Sequence, residues 1–173
     1  DQLQKSDVLV IVVRAFENPS VPDNGDGIDP LRDTETILFE LTFVDLEILE
    51  RRLIRIQKNL KGSKSTDKDR LEKEMELIGV LRENLENGNP IRSQPLTMEQ
   101  EKIIDGFSFL TAKPAIIVAN ISENDLSTTK EFENKLESQF GEKQILITSL
   151  CGKLEMELAQ MDPEDEKDFR TSL

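Results

Sequence analysis

The sequence contains no histidine, no tryptophan and no tyrosine, and its only cysteine is Cys151. Without histidine, a Ser-His-Asp triad, a Cys-His dyad and a His-liganded zinc site are all excluded. One cysteine cannot form an intramolecular disulfide, and no signal-like segment opens the chain, so we expect a cytoplasmic protein. The longest wholly apolar run, residues 8–13, is far below the roughly 18 residues of a membrane span, so we expect no membrane insertion.

The charge of the chain is strongly one-sided. Its 173 residues carry 22 Lys+Arg against 35 Asp+Glu, which gives a formal net charge of -13. This acidity argues against nonspecific affinity for a phosphate backbone, although a local basic stretch could still contact nucleic acid. The hydrophobic content of 36% suffices for one domain with a modest core. Because the chain starts at Asp1 rather than Met, we expect it to be part of a longer protein.

Three short apolar runs indicate the strands of a parallel sheet. They lie at residues 8–13, 115–119 and 145–147. Each run is continuous rather than alternating, which is typical of strands that are covered on both faces. Between the second and third runs, apolar residues at helical spacing predict a helix that ends before Gly141, and these residues are Phe132, Leu136 and Phe140. The pattern predicts one βαβ unit.

Helix starts are marked by capping signals at three places. A side chain that accepts a hydrogen bond from the first turn, followed by Pro or by Glu/Gln, is typical of a helix N-terminus. The signals are Asp29 before Pro30, Thr97 three residues before Gln100, and Thr128 three residues before Glu131. A further start is predicted at Asp162.

The long segment between the first two runs predicts an inserted pair of helices. Roughly a hundred residues separate these runs, which is too many for a structureless loop in a compact domain. A heptad seam indicates a first long helix, formed by Leu46, Leu49, Leu53, Ile56 and Leu60 and ending at Gly62-Ser63. A second apolar stripe indicates its partner, with Leu71, Met75, Ile78 and Leu85 before Gly88. We expect the two helices to form an antiparallel coiled-coil hairpin.

Asn120 directly follows the second predicted strand. In open α/β sheets the ligand lies beyond the carboxyl ends of the strands, so an asparagine here is placed where a base could be recognised. An ordinary turn asparagine is the alternative, because Asn is common in turns. The residue pattern alone leaves both interpretations open.

Three sequence strings around the insertion carry a family resemblance. They are Val-Arg-x-Phe-Glu-Asn at residues 13–18, Phe-Leu-Thr-x-Lys-Pro at residues 109–114 and Asn-x-x-Glu at residues 120–123. In this order they are similar to the YchF subfamily of Obg-like P-loop ATPases and GTPases. The resemblance covers essentially the whole chain. It implies an α/β fold, a partial doubly wound and G-domain-like parallel sheet that carries an inserted antiparallel α-helical hairpin.

The resemblance also implies a division of the chain. Residues 1–28 and 97–173 would form two parts of a nucleotide-binding α/β domain, and residues 29–96 would form the coiled-coil insertion. The phosphate loop and switch segments of the family would precede Asp1, beside the first strand, and its small C-terminal TGS domain would follow Leu173.

Base-binding residues follow from the same resemblance. Most GTPases of this fold class carry Asn-Lys-x-Asp, whereas this sequence has Ile121 and Glu123, as the subfamily does, and this goes with a preference for ATP over GTP. Asn120 and the backbone of Ile121 would pair with adenine, and Glu123 would shape the pocket. Ser149 aligns with the loop that closes over the base through main-chain contacts, with an ordinary strand-loop junction as the alternative.

A phosphate-binding loop is missing from the sequence. No Gly-x-x-x-x-Gly-Lys-Ser/Thr occurs, and Gly152-Lys153 lacks both the upstream glycine and the following hydroxyl. We therefore predict no catalytic residue and no metal ligand in this chain, and no hydrolysis by it alone. The resemblance implies ATP as the nucleotide, GTP as the alternative, and Mg²⁺ in the complete protein.

Two weaker patterns have ordinary explanations. Asp23, Asp26 and Asp29 resemble a calcium loop, but Gly25 and Gly27 occupy two of its ligand positions, which favours a turn. Cys151 is predicted to be a packed thiol at a helix start, with a redox role as the alternative.

A basic stripe near the end of the first long helix is either a solvated face or a surface that contacts RNA or the ribosome. It consists of Arg51, Arg52, Arg55, Lys58, Lys61 and Lys64. The leading hypothesis is a ribosome-associated nucleotide switch that holds the base-recognition half of its site in this chain. A non-enzymatic module, in which the hairpin docks a protein or RNA partner, is the alternative. A receiver domain is disfavoured because no acidic cluster follows the first strand.

Overall fold

Three parallel strands form the sheet of the computed structural model, which describes residues 2–22, 25–61 and 65–172. The strands are β1 (Leu9–Ala15), β2 (Ala115–Ile121) and β3 (Ile145–Leu150), in the spatial order β1-β2-β3. The register pairs Arg14 with Asn120 and Asn120 with Leu150. The carboxyl ends of all three strands therefore meet at one edge of the sheet.

Six helices accompany the strands in the described ranges. They are α1 (Pro30–Leu60), α2 (Ser65–Glu86), α3 (Met98–Ile104), α4 (Thr129–Phe140), α5 (Gly152–Leu158) and α6 (Pro163–Ser172). A short helical turn, Glu123–Thr128, lies between β2 and α4. No helix in the described part of the chain is long and apolar enough to cross a membrane.

Two of the three capping signals act as predicted. Asp29 Oδ1 accepts hydrogen bonds from the backbone N–H groups of Leu31 and Arg32, both at 3.1 Å. The reciprocal hydrogen bonds of the box at Thr97 and Gln100 are both present.

The capping box predicted at Thr128 is wrong. The Thr128 hydroxyl accepts no hydrogen bond from the first turn of α4 and instead donates to the carbonyl of Asp125 at 3.0 Å. The reason is that the turn Glu123–Thr128 runs directly into α4. The capping side chain is Ser122, whose hydroxyl accepts from the N–H of Asn124 at 3.1 Å.

One face of the sheet is covered by helices. The inward residues of the strands pack with the start of α1 and with α4, and this cluster includes Leu9, Ile11, Val13, Leu38, Ile117, Leu136 and Phe140. Leu136 and Phe140 are almost fully buried, as their helical spacing predicted. The first turns of α1 therefore pack on the sheet, and the predicted division at residues 28 and 96 stays a prediction.

In the described residues, the opposite face of the sheet is open along the two outer strands, β1 and β3. Val10, Val12 and Leu146 are 59%, 61% and 71% exposed. The expectation of strands covered on both faces is thus wrong for β1 and β3, because a continuous apolar run shows only that both faces suit burial, whereas β2 is buried on both faces at Ile117 and Val118. β1 also lies at an edge of the sheet in the described residues, and the backbone groups on its outer side together with this face form a surface prone to association.

The two long helices fold back on each other. Arg52 on α1 donates to both carboxylate oxygens of Glu74 on α2, at 2.6 and 2.9 Å. Arg52 lies eight residues before the end of α1, and Glu74 lies nine residues after the start of α2. Contact between residues at such matching distances from the connection shows that the two helices are antiparallel. The predicted stop at Gly62-Ser63 lies outside the described residues.

The core of this hairpin is wider than its predicted seam. Leu49, Ile56, Leu71, Ile78 and Leu85 are buried as expected. The other predicted residues are only partly buried, and these are Leu46, Leu53, Leu60 and Met75. The seam prediction omitted two buried residues of α2, Leu77 and Leu81. Leu81 lies three residues after Ile78 and four before Leu85, so it continues their stripe.

A buried carboxylate joins the hairpin to the sheet. Asp45, inside α1, accepts hydrogen bonds from the backbone N–H groups of Leu110 at 2.9 Å and Thr111 at 2.7 Å. Burial raises the pKa of the Asp45 carboxyl, and the hydrogen bonds from Thr111 and Leu110 and the charge of Arg92 oppose this shift. Arg92 in turn donates to the carbonyls of Thr111, Lys113 and Lys143.

Replacing Leu81 by Ala should destabilise the hairpin strongly. Leu81 is completely buried, so truncation leaves a cavity and should lower the free energy of unfolding by about 2–5 kcal/mol. Ile54→Ala removes a similar side chain from a half-exposed position on α1 and should cost much less. Urea unfolding measures both, and equal losses for the two variants would contradict the assigned packing.

Candidate functional site

A cavity of about 390 Å³ opens at the carboxyl ends of the strands. This is the edge at which open α/β sheets bind their ligands. Its lining comes from the segment after β1, the end of β2 with the following turn, and the start of α5. The lining residues are Phe16, Glu17, Asn18, Asn120, Ile121, Ser122, Glu123, Asn124, Cys151 and Lys153.

Asn120 is held in a single orientation at this cavity. The structure places it inside β2 rather than directly after the strand, because β2 extends to Ile121. Its side-chain Oδ1 accepts a hydrogen bond from the backbone N–H of Gly152 at 2.9 Å. A backbone N–H can only donate, so the Oδ1 atom must face the N–H of Gly152, and the Nδ2 amine must point away from that N–H. Among the described residues, none accepts a hydrogen bond from Nδ2.

Gly152 allows this close contact because it lacks a side chain. A Cβ atom at position 152 would lie 3.1 Å from Oδ1 and 3.3 Å from Nδ2 of Asn120. Both distances are shorter than ordinary van der Waals contacts, so a larger residue would displace the amide. Gly152 is therefore needed for packing against Asn120 at this cavity, although Gly152-Lys153 is not part of a phosphate loop.

Ile121 and Glu123 contribute differently to the cavity. The Ile121 side chain is only 4% exposed and belongs to the core of the sheet, so its backbone is the part available to a ligand. The helical turn after β2 begins at Glu123. Its Oε1 lies 3.0 Å from Nζ of Lys153, and this pairing with Glu123 raises the pKa of Lys153.

Ser149 lies away from this lining. The structure places it within β3, opposite Ala119, and not in a loop, because β3 continues to Leu150. The Ser149 N–H and hydroxyl both donate to Glu133 of α4, at 2.8 and 2.7 Å. The structure thus brings Asn120, Ile121 and Glu123 together, and base contact by Ser149 stays a prediction.

Arg14 shapes the segment that forms the near wall of the cavity. Its guanidinium donates to the carbonyls of Phe16 at 3.0 Å, Asn18 at 3.3 Å and Val21 at 3.1 Å. It also lies 5.2 Å from the centre of the Phe16 ring. One arginine therefore fixes the course of this loop through its planar set of donors.

Sequence reasoning missed Arg14, Gly152 and Lys153 as parts of the site. Arg14 lies inside the Val-Arg-x-Phe-Glu-Asn string, so the string itself offered a signal. The contacts of Gly152 and Lys153 join segments about thirty residues apart, which spacing alone does not reveal. Cys151 is buried at the N-cap of α5, in agreement with a packed thiol.

The described residues do not build a metal site. No group of three or more acidic or cysteine side chains in the described ranges could hold a metal ion. Asp29 of the loosely calcium-like loop caps α1, and Asp23 lies outside the described residues. Gly25 and Gly27 have positive φ angles of 91° and 72°, as turns require.

Comparison with known proteins identifies the relatives of this chain. No protein-family model matches it. The chain is 32% identical over 173 residues to the ribosome-binding ATPase YchF of Bacillus subtilis, covering 99% of this chain and 46% of the relative. It is 33% identical over 162 residues to Obg-like ATPase 1 of Oryza sativa subsp. indica, covering 92% and 40%. The resemblance to the YchF subfamily is confirmed.

A solved structure supports the fold of this YchF-like chain. The YchF GTPase of Schizosaccharomyces pombe superposes with a TM-score of 0.85 and 24% identity, over 99% of this chain and 47% of that one. The α/β class with a parallel sheet, as part of a P-loop NTPase fold, is therefore confirmed. The chain spans about half the length of the curated YchF relatives that it matches.

Replacing Arg14 by Lys should loosen the loop wall of the site in this YchF-like chain. A lysine keeps the charge but cannot reach several carbonyls with a planar fork. The Val21 N–H, which donates to the Asn18 carbonyl at 3.0 Å, should exchange with solvent at least about tenfold faster, because a 1.4 kcal/mol decrease in local stability gives that factor.

Arg82→Lys is the matched control, because Arg82 makes only an exposed ion pair with Glu86. Amide hydrogen exchange by NMR measures both variants. Unchanged exchange at Val21 in Arg14→Lys would contradict the role assigned to Arg14.

Proposed function

We propose that this chain provides the purine-binding edge and the helical arm of a YchF-type nucleotide-binding ATPase. The observation that carries the proposal is the fixed carboxamide of Asn120 at the cavity. Its oxygen is used by Gly152, and its Nδ2 amine has no acceptor among the described residues. A purine N7 atom is an acceptor of the kind that this amine would meet.

Asn120 would hold a purine without choosing between adenine and guanine, since both bases present N7 as an acceptor. Discrimination would come from the neighbouring backbone. The carbonyl of Ile121 would accept from the exocyclic amine of adenine, whereas guanine presents a second acceptor, O6, at that position. This is the physical basis on which we propose ATP as the preferred nucleotide, with GTP as the alternative.

Phosphate contacts are not part of this proposal. Phosphate-binding loops and Mg²⁺ supply much of the affinity at P-loop sites, and the sequence of this chain carries no such loop. We therefore expect the chain itself to bind ATP weakly, through the base, and we derive no hydrolytic step from it. In the longer protein, hydrolysis would depend on residues that this chain does not contain.

Asn120→Asp tests the base site sharply. The aspartate can still accept from the Gly152 N–H, but it places a carboxylate oxygen where the proposal needs a donor. The affinity for ATP should fall at least about tenfold, since removing a hydrogen bond and leaving an unpaired acceptor costs on the order of 1–3 kcal/mol. An NMR titration at millimolar nucleotide, with initial slopes of the shift changes at Gly152, measures the effect.

Asn134→Asp on α4 is the control, because it adds the same charge at a position outside the cavity. If Asn120→Asp binds ATP as well as this control does, Asn120 does not contact the base.

The helical arm is proposed to contact the ribosome. The Bacillus subtilis relative, named above as a ribosome-binding ATPase, supports this proposal, and so does the basic stripe on an otherwise acidic chain. Arg51, Arg55 and Lys58 are exposed and lie on one face of α1, at spacings of four and three residues. Arg52 instead pairs with Glu74 inside the hairpin, and Lys64 lies outside the described residues. A cytoplasmic location follows from the same proposal.

Removing charge from this face should weaken ribosome binding. In Arg55→Gln/Lys58→Gln, co-sedimentation with ribosomes should become weaker and less dependent on salt. The log-log salt slope should fall by about 0.7–0.9 for each phosphate group that the variant no longer neutralises. The control, Lys130→Gln/Lys135→Gln, removes the same charge from exposed positions on α4.

Equal binding by both variants would contradict the assigned face. The alternative function, a non-enzymatic interaction module, predicts that ribosome or RNA binding persists while no nucleotide shifts any resonance at the cavity.

A further inference from the structure

Lys153 lies at the mouth of the base cavity, although sequence reasoning gave it no role. It belongs to the first turn of α5 and lines the cavity together with Glu123. Its Nζ lies 3.0 Å from Glu123 Oε1 and 3.8 Å from Glu157 Oε1. The ion pair with Glu123 therefore connects the turn after β2 to α5, the helix after β3. Asn120 is close to both partners, because it precedes Glu123 by three residues and accepts a hydrogen bond from Gly152, the neighbour of Lys153.

We propose that Lys153 is a specificity-determining residue of the base site, which favours adenine by neutralising Glu123. This inference rests on the proposed purine site. Lys153 binds one oxygen of the Glu123 carboxylate, so that the carboxylate no longer acts as an open acceptor beside the base. The side-chain contribution to the base preference, which adds to that of the Ile121 carbonyl, thus comes from the pair and not from Glu123 alone.

The donor and acceptor patterns of the two bases give the direction of the effect. Guanine presents N1–H and an exocyclic N2 amine, which a free carboxylate would accept together, whereas adenine presents N1 as an acceptor, which a free carboxylate repels. An unpaired Glu123 would therefore favour guanine and disfavour adenine. Pairing with Lys153 removes both contributions.

The expected size of the effect is modest because the pair is exposed. The side chains of Lys153 and Glu123 are 65% and 41% exposed, and solvent screens charges at such positions. We expect removal of the ammonium to shift the ratio of GTP and ATP dissociation constants by roughly three- to tenfold toward GTP, because exposed ion pairs contribute little. ATP and GTP carry the same phosphates, so any attraction of Lys153 to phosphate cancels in this ratio.

The test is a set of NMR titrations of the chain with ATP and with GTP, following the amides of Gly152 and Asn120. Lys153→Met should shift the ratio toward GTP, and Lys153→Arg, which keeps the positive charge, should recover most of the original ratio. Lys130→Met, on α4 and outside the cavity, controls for the change in net charge. A ratio that does not change in Lys153→Met overturns the inference.

A double-mutant comparison separates the ion pair from other effects of Lys153. With Glu123→Gln in place there is no carboxylate to neutralise, so adding Lys153→Met should leave the ratio unchanged. The same shift in both backgrounds overturns the role of the pair while leaving the purine site intact. If the original chain shows no ATP-dependent shifts at the cavity, the proposed function and this inference fail together.

Discussion

The carboxylate of Asp45 is the constraint on which the arrangement of this molecule depends. It is a fully buried ionisable group in the middle of a long helix, and a polar group without hydrogen bonds at such a place would be costly. Two backbone N–H groups, from Leu110 and Thr111, meet its two oxygens at 2.9 and 2.7 Å. They are the donors of the segment that leads into β2. Burial raises the pKa of the carboxyl, so ionisation of Asp45 costs stability, and its hydrogen bonds to the two backbone N–H groups fix one position of the hairpin against the segment before β2.

The consequences extend to the start of two strands. Burial lowers the pKa of Arg92, and the nearby charge of Asp45 opposes this shift. Arg92 donates to the carbonyls of Thr111 and Lys113 before β2 and of Lys143 before β3. The amino ends of both strands are thereby tied to the base of the hairpin. Because the strands are parallel and their register is continuous, the position of their carboxyl ends is then fixed as well. Asn120 lies at that edge, and the cavity forms there because the chain returns to it after each strand.

Periodic features were predictable from the sequence, and contacts between distant segments were not. The three strands, the cap at Asp29 and the buried stripe through Ile78 follow from local spacing and capping chemistry. The apolar runs predict ends at residues 119 and 147 for the second and third strands, which is too early. Asn120 and Ser149 are polar, but pairing with the neighbouring strand keeps their backbone extended. The local sequence does not distinguish Asp45 from the other acidic residues of α1, because only the fold brings the two N–H groups to it. The ion pair of Lys153 and Glu123 is not predictable for the same reason, since thirty residues separate its partners.

The most direct measurement of the central claim is the position of a bound adenine. A second cavity, of about 380 Å³, lies where the arm meets the sheet and is lined by Phe39, Leu85 and Arg92 among others. It is a rival site, since apolar cavities with a few polar groups commonly bind small molecules. Intermolecular NOEs from adenine H8 and H2 protons in the ATP-saturated chain distinguish the two cavities. We expect NOEs to the Asn120 side-chain amide and the Ile121 backbone. NOEs to Phe39 in their place would contradict the proposed purine site.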